Sequence, residues 1–89
     1  MYRVVLRIES VPPDVGSEAA ADITDGFKQR PWHQKAICSY VDGGLTLTSE
    51  NDFDENGLAT LDEFSDEYCA NIVQYENSGG LSVVSVESF

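Results

Sequence analysis

Two spacings of apolar residues, one of two and one of three to four, divide this chain into six elements. Tyr2, Val4, Leu6 and Ile8 alternate with Arg3, Val5, Arg7 and Glu9, the period of a half-buried strand. Val11-Pro12-Pro13-Asp14-Val15-Gly16 reads as a turn-rich connection, since neither proline can donate to a ladder. Ser17 is the expected N-cap of a first helix, with Glu18 in its opening turn and Ala20, Ile23 and Phe27 facing in. That helix should end before Pro31, whose ring disfavours a helical Arg30, and Gly26 weakens its last turn. His33 to Val41 reads as a second strand and Asp42-Gly43-Gly44 as a tight hairpin turn. Leu45 to Glu50 follows as a third strand, with Leu45 and Leu47 in and Thr46 and Thr48 out.

The longest patterned stretch runs from Asp52 to Val73: a turn rich in carboxylates, then an amphipathic helix. Leu58, Leu61, Phe64, Tyr68 and Ile72 recur three or four apart and share one stripe. Asp62, Glu63, Asp66 and Glu67 fall on the other side, with no Lys or Arg in the stretch to neutralise them. Asn77-Ser78-Gly79-Gly80 breaks the chain, and Leu81 to Val86 reads as a last, β-branched strand. The order β-α-β-β-α-β resembles the ferredoxin-like architecture, an α+β sandwich. It implies a four-stranded antiparallel sheet with two helices on one face. The whole chain, 1–89, is expected to be a single domain. That architecture hosts unrelated activities, so function must be argued from residues.

Charge narrows the field. A formal net charge of −11 on 89 residues argues against direct nucleic-acid or anionic-membrane binding, since phosphate would repel the chain. It leaves three explanations: a protein partner with a basic surface, a cation ligand, or a high-salt cytoplasm. A plain solvated acidic surface accounts for it as well. No apolar run is long enough to span a bilayer, and Arg3 and Arg7 interrupt any signal-peptide core, so the expected location is cytoplasmic. Cys38 and Cys69 have neither CxxC nor metal-ligand spacing and read as two reduced, buried thiols, with a single disulfide left open.

Asp52 to Glu63 resembles the EF-hand calcium loop. The resemblance implies side-chain ligands from Asp52, Asp54, Asn56 and Thr60, a carbonyl from Leu58, the sharp turn at Gly57 and a bidentate carboxylate from Glu63. It implies Ca²⁺ as the only cofactor to consider. The surrounding pattern departs from that family: a strand precedes the loop where a helix is needed, Ala59 replaces a bulky apolar residue, and no second loop exists. The same residues read more simply as a strand-to-helix turn, with Gly57 easing it, followed by a capping box, Thr60-Leu61-Asp62-Glu63, and that reading is favoured.

The acidic helix face suggests another use. Four carboxylates over about 7–8 Å of axis, at about 1.5 Å per residue, approach the charge density of duplex DNA. In size and charge the chain resembles small proteins that imitate nucleic acid, such as anti-restriction and anti-CRISPR inhibitors, some of them from phage. Asp62, Glu63, Asp66 and Glu67 are then the candidate partner-binding residues, and Trp32, beside Arg30 and Lys35, is a candidate aromatic anchor. Trp32 covering the core is the plainer alternative. Catalysis has little to stand on: His33 is the single histidine, no spacing ties a Ser or Cys to it and to an acid, and Cys38 at an odd separation should face the other way. No catalytic residue is assigned. The expectation is a small acidic non-enzymatic binding protein, monomer or homodimer, the latter through a sheet face carrying Arg3, Val5 and Arg7. A calcium-binding domain and a small enzyme are the alternatives.

Overall fold

The computed structural model describes residues 1–11, 13–71 and 81–89, and only the backbone of 69–71. Pro12, Ile72, Val73, the break at 77–80 and the Cys69 side chain lie outside the described residues. The elements are β1 (Tyr2–Ile8), α1 (Pro13–Lys28), β2 (Gln34–Val41), β3 (Gly44–Asn51), α2 (Leu58–Asn71) and β4 (Leu81–Ser88). The strands form one antiparallel sheet in the order β2-β3-β1-β4, so the fold is α+β and ferredoxin-like. Val4, Leu6, Ile8, Leu45, Leu47 and Cys38 of the sheet meet Ala19, Ala20, Ile23 and Phe27 of α1 and Phe64 and Tyr68 of α2 in one core. Among the described residues no helix is long and apolar enough to cross a membrane.

Several boundaries differ from the sequence reading, each for a local reason. α1 begins at Pro13, not after a Ser17 cap. Proline is well suited to a first helical turn, where its missing N–H is not needed. Asp14 rather than Glu18 then sits in the first turn, and Gly16 is helical and buried. The hairpin turn is the two residues Asp42 and Gly43, both at positive φ (51° and 76°), the geometry that matches strand twist.

The alternation in β2 does not run straight from His33. Lys35 adopts φ 52° and the pairing with β3 shifts register between Gln34 and Ile37. That irregularity resets the parity, so His33 and Cys38 are both buried instead of facing opposite ways. Thr24 of α1 also accepts a hydrogen bond from the Cys38 amide (2.9 Å), tying the helix to this outer strand.

Burial shapes the Cys38 thiol, which is unpaired and in the core. Desolvation pushes its pKa up from 9.0 to about 12. The folded state therefore keeps the neutral thiol where an unfolded chain ionises, so this group contributes stability below pH 9 that is lost as pH rises toward 12. Native Cys38 is expected to alkylate at least ~1000-fold more slowly than the same residue in denaturant at pH 8. Peptide mapping after iodoacetamide checks this, and comparable rates would contradict the buried placement.

The break between β3 and α2 shows how the second helix starts. Leu58 N–H donates to Asn56 Oδ1 (3.1 Å), Ala59 N–H to Asp54 Oδ1 (3.3 Å) and Thr60 N–H to Asp54 Oδ2 (2.8 Å). Asn56 and Asp54 thus satisfy the amides that open a helix. Gly57 stands at φ 78°, and a Cβ there would press on Val4, Val83 and Val86 at 3.1–3.3 Å. The expected capping box beginning at Thr60 is replaced by this earlier cap. Thr60 lies within the first turn and its hydroxyl also donates to Asp54 Oδ2 (2.5 Å).

Candidate functional site

The helical layer places the acidic residues differently from the sequence pattern. Asp62 and Asp66 are exposed on α2, but Glu63 and Glu67 turn toward the end of α1. Arg30 Nη1 lies 2.6 Å from Glu67 Oε1, and Arg30 Nε lies 3.7 Å from Glu63 Oε1. Arg30 Nη1 also donates to the Gly26 carbonyl (2.9 Å), and the guanidinium lies 5.4 Å from the Phe27 ring centroid. Gly26 has a packing role in this: a Cβ there would run into the Glu67 carboxylate. The expected row of four unneutralised carboxylates is therefore corrected to two exposed ones, the other two being clamped on a cation supplied from outside the helix.

Glu63 has further partners. Trp32 Nε1 donates to its Oε1 (2.9 Å), and its Oε2 meets His33 Nε2. The His33 side chain is fully buried, with Nδ1 3.1 Å from Ser49 Oγ and the rings of Phe27, Trp32 and Phe53 around it at 5.1–6.1 Å. Backbone hydrogen bonds from Arg30 to Phe27 and from His33 to Arg30 (both 3.0 Å) coil the connection tightly enough to turn His33 inward. Trp32 itself is 48% exposed, as is Phe53.

Ser49, His33 and Glu63 thus form a serine–histidine–acid trio that sequence spacing does not reveal. Its geometry is not that of a nucleophile. Hydrolytic serines are open to substrate, whereas Ser49 has no exposed surface and bonds to the ring nitrogen opposite the acid's only through the interior. The open groove lined by Leu58, Ala59, Leu61, Asp62, Ser65 and Leu81 lies on the α2–β4 flank, away from His33. The trio ties β3, the α1–β2 connection and α2 together.

The calcium-loop residues are dispersed. Asp52 and Asn56 are exposed, Asp54 is buried with both carboxylate oxygens on the start of α2, and Glu63 points to Trp32 and His33. Leu58 is 56% exposed at the head of the helix, off the buried stripe that Phe64 and Tyr68 form. Among the described residues no three His, Cys, Asp or Glu side chains are grouped as a metal ion requires. As folded, this loop does not fit the EF-hand ligand set.

A second charged feature lies on α1. Asp14, Glu18, Asp22 and Asp25 of α1 are all exposed and follow the helical repeat, so they form a row along one side. Lys28, 3.6 Å from Asp25, is the single cation at its end. The spacing is legible in the sequence, but a helix begun at Ser17 leaves Asp14 outside it. The remaining cations, Arg3, Arg7 and Lys35, lie on β1 and β2. The chain matches no protein-family model, and no curated protein or solved structure is significantly similar to it.

Proposed function

We propose that this is a small non-enzymatic binding protein whose helical layer engages the basic, nucleic-acid-binding surface of a protein partner. The observation that carries the reading is the pair of exposed carboxylate rows, Asp14, Glu18, Asp22 and Asp25 on α1 and Asp62 and Asp66 on α2. The α1 row places four charges over about 16 Å of axis at about 1.5 Å per residue, or one per ~5 Å. One DNA strand carries a phosphate per about 3.4 Å, so the α1 row, with Asp62 and Asp66 of α2 added to it, has a charge spacing of the same order. Trp32 and Phe53, half-exposed beside this layer, supply aromatic anchors of the kind that concentrate binding energy. Glu63 and Glu67 take a supporting part by holding Arg30 and Trp32 in place.

The test uses immobilised protein and the heparin-binding fraction of the host's soluble proteins. A partner should be retained at low salt and displaced by duplex DNA, as a shared basic surface requires. The triple variant Asp22→Lys, Asp62→Lys, Asp66→Lys should slow association at least ~10-fold at low salt, because steering depends on net local field. Retention that duplex DNA leaves untouched, or an unaltered on-rate in the triple variant, would remove the reading.

A further inference from the structure

Resting on the basic partner proposed above, we infer that the groove between α2 and β4 seats one apolar side chain of that partner, a leucine-like group with Lys or Arg on either side of it. Leu58, Ala59, Leu61 and Leu81 form the apolar part of the lining and Asp62 and Ser65 the polar part, around about 440 Å³. Leu58 is 56% exposed and Ala59 is exposed beside it, whereas Leu61 and Leu81 are half-buried and pack against the core.

A lone exposed leucine is ordinary, but this one continues into a lining drawn from a helix and a strand. The volume falls within the roughly 300–1,000 Å³ of small-ligand sites, yet those sites enclose most of their ligand and this groove is open. An open groove suits a side chain whose backbone stays outside, as when an anchor residue of a larger partner docks.

Charge selects the partner. Leu58, Asp62 and Asp66 follow one another four residues apart, so the two carboxylates stand in line with the apolar wall along α2. Both are exposed. The chain's five Lys and Arg all lie elsewhere. Arg30 is held by Glu67 and Glu63, Lys28 sits 3.6 Å from Asp25, and Arg3, Arg7 and Lys35 belong to β1 and β2. Among the described residues no cation pairs with Asp62 or Asp66. An acidic segment is repelled from this flank, and so is a second copy at net charge −11. A segment that carries cations beside its apolar residue satisfies both parts of the groove at once.

Two short peptides test this by ¹⁵N–¹H NMR titration of the full chain, one with a single leucine between lysines and one with serine in its place. The leucine peptide should bind about 5-fold more tightly, because even partial burial of that side chain recovers part of its transfer free energy. Salt should weaken both peptides, since lysines on exposed carboxylates are screened. It should leave their ratio standing, since apolar burial is not screened. The amides of Ala59, Leu61, Asp62, Ser65 and Leu81 should move with the leucine peptide beyond what the serine peptide produces.

Ala59→Glu separates the groove from charge. It adds a carboxylate at a helix start, where negative charge is favourable, and it obstructs the apolar lining. Circular dichroism should be unchanged, the serine peptide should bind slightly more tightly, and the preference for leucine should disappear. Equal affinities for the two peptides, a leucine preference that survives Ala59→Glu, or leucine-dependent shifts confined to α1 or the open face of the sheet would each overturn the inference. Equal affinities would sink the groove alone, because displacement of the whole partner by duplex DNA decides the wider reading separately.

Discussion

Arg30→Ala is expected to lower unfolding free energy by about 2–3 kcal/mol, less than the roughly 3–5 kcal/mol that breaking a fully buried ion pair costs. Arg30 and Glu67 are 23% and 19% exposed at the side chain, so water screens the pair only in part. The substitution takes the guanidinium from two carboxylates at once, and removes the cover over the Phe27 ring. In a domain of this size, that corresponds to a fall of roughly 10–20 °C in melting midpoint. Arg30→Lys should recover less than half, because an ammonium cannot reach Glu63, Glu67 and the Gly26 carbonyl together. A double-mutant cycle with Glu67→Gln, read by urea unfolding, should return a coupling of at least about 1 kcal/mol. A fall below about 0.5 kcal/mol would mean that the clamp holds nothing.

Asp54→Ala is expected to cost about 2–3 kcal/mol, above the ordinary range for a helix cap, because the carboxylate is buried and charged. It accepts from two backbone amides and from the Thr60 hydroxyl, and all three lose their partner together. Asp54→Asn should retain a larger share of stability, since an amide oxygen still caps. Calcium separates this from a ligand role. Wild type should melt at the same temperature with Ca²⁺ and with chelator, and Asp54→Ala should lose the same amount in both. A Ca²⁺-dependent rise in the wild type that Asp54→Ala or Glu63→Gln abolishes would show instead that the loop holds the ion.

Of these two positions, Asp54 is the more legible in the sequence. The turn role of Asp54 follows from its neighbours in sequence, Asn56 and Gly57, since capping is a contact over a few residues. The choice between cap and calcium ligand was open in the sequence because both uses need oxygens at nearly the same spacing. In the fold the Glu63 carboxylate turns toward residues 30–33 rather than back into the loop. The same long-range contacts divide the acidic face of α2, which periodicity alone treats as uniform.

Alternation and helical repeat were enough to specify six elements, their order and most of the core, because burial of one face imposes a period on any strand or helix. The acidic charge and the side on which Asp62 and Asp66 lie belong to that same local information. Packing decided the rest. The coiled α1–β2 connection and the irregularity at Lys35 turned His33 inward, where it met Ser49 and Glu63, and the end of α1 brought Arg30 to Glu63 and Glu67. Those groups are 16 to 37 residues apart, and their meeting depends on how helices and strands stack, which no period along one segment encodes.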